Sequence, residues 1–263
     1  MSQSGHQPAR QGPVPAGLVD GQPVSLEAVM FDMDGLLVDS ESLWYLSETA
    51  VMARLGGTWG PADQQALVGG SMASTVAYLL ARSRRPAPPA AVARWLTEEM
   101  IGLLRTRPLT ALPGVLSLLA EVRAAGIPHA LVTSSEPPVV DAVLGRLDVR
   151  FEVVVCAADV AQAKPDPEGY LLAAEKLGAD AQRCIALEDS PNGVAAAEAA
   201  GYRVIAVPSL VPIAEAPGRA VVRSLAGLTL ARLGELAGLL PSSTPAALGR
   251  LCDGQGQPGN VRQ

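Results

Sequence analysis

The sequence predicts an α/β fold: a parallel sheet covered by helices on both faces, with a separate helical segment inserted early in the chain. Three observations carry that prediction. Five short apolar runs read as buried strands: Ala28-Val-Met-Phe31, Ala130-Leu-Val132, Val153-Val-Val155, Ile185-Ala-Leu187 and Val204-Ile-Ala-Val207. Helical stretches near 114–125, 138–147, 167–177 and 192–200 separate the later runs, and strands alternating with helices imply a parallel sheet. From Leu43 to Arg107, by contrast, there is helical periodicity and no convincing strand.

Taken in order, residues 1–24 are rich in Gly, Pro, Gln and Ser and too poor in apolar groups to offset the entropy of ordering, so a disordered tail is expected. Residues 241–263 have the same composition and the same expectation. The first strand follows the N-terminal tail. The interval after it begins with Leu43, Leu46, Ala50 and Ala53 at helical spacing. It ends with a second amphipathic stripe, Val92, Trp95, Leu96, Met100, Leu103 and Leu104, stopped by Pro108. This places an inserted helical cap at 43–108, with hinges near Asp39-Ser40 and Pro108–Pro113. The core is then 25–42 together with 109–240. The alternative, that these helices simply cover the sheet, is the blander reading of the same pattern.

Composition limits the chemistry. Among 263 residues there are 2 His and 3 Cys, and the lysines are Lys164 and Lys176 alone. A His-based zinc site has too few ligands, and a Ser-His-Asp triad would depend on His129, which sits inside a strand. Three scattered cysteines form no C-x-x-C pair and no even disulfide framework, so a reducing cytoplasm is the expected compartment. A net charge of −6 argues against a nucleic-acid surface. No signal-peptide pattern opens the chain, and no apolar run is long enough to span a membrane. Nothing in the sequence sets oligomeric state; a monomer is the expectation. What remains is chemistry by carboxylates.

Four segments could perform it. Phe31-Asp-Met-Asp-Gly35 follows a strand directly, where ligands gather in open α/β sheets. Asp32 and Asp34 can face one volume if the backbone turns at Gly35, one attacking while the other handles protons. A calcium loop does not fit, because Leu36 stands at that pattern's fifth position. Ile185-Ala-Leu-Glu-Asp-Ser-Pro-Asn-Gly193 repeats the design with Glu188 and Asp189, although Asp189 or Ser190 could equally be an ordinary helix N-cap. Clustered carboxylates repel by roughly 4 kcal/mol per pair at about 4 Å; a hard cation such as Mg²⁺ would relieve that. Val132-Thr-Ser-Ser135 ends a strand with hydroxyls and backbone N–H groups suited to an anion. Lys164 lies in Ala163-Lys-Pro-Asp-Pro167, where an ammonium would serve a phosphoryl group. Each segment alone also has a plain structural explanation: a turn, a cap or a surface lysine.

In this order the four segments resemble the motifs of the haloacid dehalogenase superfamily, from about Glu27 to Val207. The resemblance implies a Rossmann-like core with a helical cap and a Mg²⁺-dependent phosphotransferase activity. It implies Asp32 as the nucleophile that becomes aspartyl-phosphate and Asp34 as the acid/base. Thr133 and Ser134 would bind phosphate, and Lys164 would bridge phosphate and nucleophile. Asp189 would ligate Mg²⁺ with Asp32 and the Asp34 carbonyl, Glu188 would support that shell, and Gly35, Ser135 and Asn192 would line the site. Within the superfamily, Asp34 argues against a dehalogenase, and a cap without lysine argues against the phosphonate-cleaving enzymes. β-Phosphoglucomutases share all four motifs, but they carry a cap His where Trp44 stands here. They also carry a Lys-Gly loop followed by Arg, where this chain reads Val68-Gly-Gly-Ser-Met-Ala-Ser-Thr75. The run from Phe31 to Trp44 is similar to bacterial hexitol and 2-deoxyglucose-6-phosphate phosphatases. The implied substrate is a small phosphorylated sugar or polyol, with Trp44 either a substrate-facing wall or a cap-core aromatic. A sugar phosphomutase and a non-catalytic phosphometabolite-binding protein are the alternatives.

Overall fold

The computed structural model describes residues 25–240 in full, together with the backbone of Leu18–Val19, Gln22–Pro23 and Pro241. Its centre is a six-stranded parallel sheet: β1 (Ala28–Phe31), β2 (His129–Val132), β3 (Val153–Val155), β4 (Cys184–Glu188), β5 (Arg203–Ala206) and β6 (Arg219–Val221). The spatial order is β3-β2-β1-β4-β5-β6. The chain therefore runs outward from β1 to β3, then returns to place β4 on the other side of β1. The order reverses there, and the crevice beyond the carboxyl ends of β1 and β4 is where such sheets bind ligands.

Side-chain alternation along the strands builds two cores. Val29, Phe31, Leu131, Ile185, Leu187 and Ile205 pack on one face against helices α5 (Val115–Ala124), α6 (Pro137–Leu147) and α9 (Leu230–Ala237). Met30, Ala130, Val132, Ala186 and Val204 face the other way, onto α7 (Glu168–Leu177) and α8 (Pro191–Ala199). All five expected strands are present. β6 went unforeseen because Arg219-Ala-Val is half-buried and carries no continuous apolar run. His129 is buried in β2, its Nδ1 3.0 Å from Glu152, and belongs to the core.

The interval without strands holds α1 (Glu41–Arg54), α2 (Pro61–Gln65), α3 (Met72–Arg82) and α4 (Pro89–Thr106). Val51, Met52, Leu55, Val76, Leu79, Val92 and Leu96 give these helices a hydrophobic cluster of their own. The segments entering and leaving pair with each other: Val38 bridges Ala111 antiparallel, Asp39 N–H donates to Thr110 O and Leu112 N–H to Leu37 O, both at 3.1 Å.

Most of 1–24 and 242–263 lies outside the described residues, and so does the expectation of disordered tails. Leu18–Val19 pairs antiparallel with Gln22–Pro23. Leu240–Pro241 pairs parallel with Ser25–Leu26. No helix among the described residues is long and apolar enough to cross a membrane.

Candidate active site

Asp32 leaves β1 with its N–H still bonded to Leu187 O at 3.1 Å, so the sheet itself fixes the carboxylate. The chain then turns: Gly35 N–H donates to Val38 O at 2.9 Å. Gly35 has φ +83°, and a Cβ there would lie 2.1 Å from Asp189 Oδ2. Glycine is required both for the left-handed turn and for the approach of Asp189 from β4.

Lys164 ties three strand ends together. Its buried Nζ donates to Asp32 Oδ1 at 2.6 Å, Glu188 Oε1 at 2.6 Å and Val132 O at 2.8 Å. An ammonium has three hydrogens, and all three go to protein acceptors. In this arrangement the lysine acts on Asp32 and Glu188. Burial pulls the Lys164 pKa down, but attraction to Asp32 and Glu188 and its hydrogen bonds to them more than reverse this, leaving it raised.

Asp32, Glu188 and Asp189 offer carboxylate oxygens that all lie within 4.8 Å of one another, and all three residues are buried. Burial pushes Asp32 up to about 8 against the downward pull of Lys164, with Glu188 adding repulsion. Asp189 is raised well above the carboxylate range by burial, then by Asp32 and Glu188. Three crowded carboxylates with one ammonium fit a hard divalent cation such as Mg²⁺, which would relieve the burial and repulsion together. Glu188 stands behind the other two. Its Oε1 also accepts from Tyr170 Oη at 2.5 Å, and a Cβ at Gly193 would lie 1.9 Å from Oε2, so α8 can begin this close only with glycine there. Ser209 Oγ donates to Asp189 Oδ2 at 2.6 Å. Ser190, not Asp189, is the N-cap of α8, accepting from Gly193 N–H at 3.1 Å.

The Asp34 side chain stands outside that cluster. Its Oδ1 accepts from Ser40 Oγ at 2.6 Å and Trp44 Nε1 at 2.8 Å, and its Oδ2 from Ser135 Oγ at 2.6 Å. Three donors, two from the start of α1 and one from the turn after β2, hold it at the mouth of the site. Trp44 lines the pocket, its ring packs against the main core cluster and not against the inserted helices' own cluster, and its N–H holds Asp34. Thr133 Oγ1 accepts from Ser135 N–H at 3.0 Å, closing the turn after β2. Ser134 Oγ is buried without a hydrogen-bond partner, as a hydroxyl awaiting an anion would be.

The pocket over these groups is roofed by the inserted helices. Asp32, Asp34, Thr133, Ser134, Ser135, Lys164 and Asp189 form its floor, and Glu41, Trp44, Glu48, Gln64 and the loop from Leu67 to Met72 line the rest. Lys164 is the only Lys or Arg in this lining. Asn192 does not line it; its Nδ2 instead donates to Gly69 O at 3.3 Å, joining α8 to the roof loop. Sequence reasoning missed Ser40, Tyr170, Ser209, Glu41, Glu48 and Gln64. Only Ser40 had a local signal, as a hydroxyl just past the turn that carries Asp34.

Residues 29–207 match the family model for haloacid dehalogenase-like hydrolases. The chain belongs to this family. It is 36% identical to hexitol phosphatase B of Escherichia coli (strain K12) over 219 residues, covering 81% of this chain and 96% of that protein. A crystal structure of mutant CbbY from Rhodobacter sphaeroides in complex with xylulose-1,5-bisphosphate is 31% identical, with a TM-score of 0.73, and covers 79% of this chain and 99% of that one. β-Phosphoglucomutase from Clostridium difficile, at 24% identity and a TM-score of 0.70 over 81% and 97% of the two chains, shares the fold.

Proposed function

We propose that this protein is a Mg²⁺-dependent phosphatase of small sugar or polyol monophosphates, working through an aspartyl-phosphate. The observation that carries the reading is the convergence of Asp32, Glu188 and Asp189 with Lys164 at the ends of adjoining strands, beside the unpartnered Ser134 hydroxyl. Family membership and a relative named for hexitol phosphates support it.

Asp32 and Asp189 would hold magnesium, with the Asp34 carbonyl and with Glu188 behind them. When bound, the ion supplies positive charge that offsets the carboxylates and the phosphoryl oxygens. Lys164 and the sheet orient the Asp32 oxygen for in-line attack on phosphorus. Thr133 and the Ser134–Ser135 turn hold the phosphoryl oxygens. As the Asp32–phosphorus bond forms and the ester bond breaks, Asp34 gives its proton to the leaving alcohol oxygen. Asp34 then takes a proton from the water that attacks phosphorus and frees Asp32. Ser40, Trp44 and Ser135 keep it within reach of both oxygens.

The helices over 43–108 act as a cap on the core formed by 25–42 and 109–240, excluding bulk water during transfer. A mutase would need a second cationic anchor; the absence of Arg and of any lysine but Lys164 from the described lining favours hydrolysis. Intact catalytic groups argue equally against a purely binding role. Free, buried Cys156 and Cys184 support a cytoplasmic location. Purified protein should release phosphate from glucitol 6-phosphate with Mg²⁺, stop in EDTA, and lose at least a thousandfold in Asp32→Asn. Wild-type turnover in Asp32→Asn would end the proposal.

A further inference from the structure

The roof of the pocket contains a buried carboxyl that the proposed phosphoryl transfer does not use. Glu48 is 6% exposed, and its Oε2 has no hydrogen-bond partner. The Trp59 indole N–H, buried nearby, also lacks a well-formed hydrogen bond, yet it lies close enough to the Glu48 carboxyl to draw its pKa down against burial. An unpaired buried polar atom is costly unless something else completes it. Glu48 lines the same pocket as Asp32 and Asp34. It follows Trp44 by one helical turn on α1, about 6 Å further along the axis from the indole that touches Asp34.

We infer that Glu48 is a specificity-determining residue that hydrogen-bonds a hydroxyl of the substrate at the end remote from phosphate. The inference rests on the phosphatase reading and adds the part of the substrate that is read. Burial first, then repulsion from Glu41 and Asp63, raises the Glu48 carboxyl to about 8 against the downward pull of the Trp59 N–H. A neutral carboxyl has one O–H to donate and oxygens to accept, which matches a hydroxyl's own donor and acceptor. A second phosphate or a carboxylate would meet no cation there; a polyhydroxylated chain is the matching chemistry.

The test compares glucitol 6-phosphate with phenyl phosphate, which has no free hydroxyl. Glu48→Met fills the space without a polar group, and Glu48→Gln keeps a donor and an acceptor. The ratio of kcat/KM for glucitol 6-phosphate over phenyl phosphate should fall about tenfold or more in Glu48→Met, and stay within about threefold of wild type in Glu48→Gln. Equal loss on both substrates, or an unchanged ratio in Glu48→Met, overturns the inference and leaves Glu48 a structural residue. Calorimetric binding of the same two compounds to Asp32→Asn, with and without Glu48→Met, reads the discrimination without turnover. Failure of wild type to hydrolyse either compound would refute the phosphatase reading, whereas loss of selective binding in the double variant would still support Glu48.

Discussion

Replacing Lys164 with methionine isolates the electrostatics of the site. The side chain keeps its length and loses its charge, while Asp32 and Glu188 lose an ammonium 2.6 Å away from each. At an effective dielectric of 20, each contact is worth about 6 kcal/mol of attraction before desolvation. Most of that offsets the burial of Lys164 itself, and removing one partner of a buried ion pair leaves a net loss of about 3–5 kcal/mol. For a chain of this size the melting temperature should fall by roughly 6–20 °C. The loss should depend on pH in a defined direction. Asp32 already titrates near 8, above its unfolded value, because of burial, and Lys164 is what draws it down. Without Lys164 it rises further. An acid whose folded pKa is raised binds more protons when folded, so stability falls as pH climbs from the unfolded value toward the folded one. The deficit of Lys164→Met should therefore be level from pH 5 to about 7, where Asp32 is protonated in both folded proteins, and grow as pH climbs past 8, read by scanning calorimetry in EDTA. A variant within about 1 kcal/mol of wild type at pH 8, or a deficit that grows on acidification, would refute the reasoning.

Gly35→Ala drives a Cβ into Asp189 and strains a turn at φ +83°; activity titrated against Mg²⁺ should show about 10–100-fold weaker apparent affinity. Trp44→Phe removes the N–H on Asp34 Oδ1 but keeps the ring; steady-state kinetics should show kcat lower by about tenfold to a hundredfold with little change in KM. Tyr170→Phe removes a 2.5 Å hydrogen bond to Glu188, and urea unfolding should show a loss of about 1.5–3 kcal/mol. Glu48, raised by burial from 4.5 to about 8, makes the folded state less stable as pH rises through that window. Glu48→Gln removes this term, so in EDTA its stability relative to wild type should improve from pH 5 to pH 8 by at most about 1.4 kcal/mol per pH unit.

The sheet was legible wherever a strand is buried on both faces. β1, β2 and β4 are continuous apolar runs, whereas β6 at the edge needs no such run and showed none. The site was legible because each of its parts ends a strand or opens a helix, so local sequence fixes the place of Asp32, Thr133 and Asp189. Contacts set by packing were not readable. Tyr170 reaches Glu188 only because α7 lies against the sheet, and Asn192 turns to Gly69 because the roof loop descends onto α8. The division of labour between the carboxylates came from the family resemblance and not from their spacing. Spacing alone could not tell that Asp34 turns to Ser40, Trp44 and Ser135 while Glu188 joins Asp32 and Asp189. Lys164 was conspicuous as one of two lysines, yet its three acceptors come from three strand ends far apart in sequence.

The account stands or falls on Asp32 taking the phosphoryl group. Rapid acid quench of the protein turning over ³²P-labelled glucitol 6-phosphate with Mg²⁺, followed by peptide mapping, tests this directly. The label should appear on the peptide carrying Asp32, be released by hydroxylamine, and be absent in Asp32→Asn. Phosphate release at the full rate with no label on that peptide at any quench time would contradict the account.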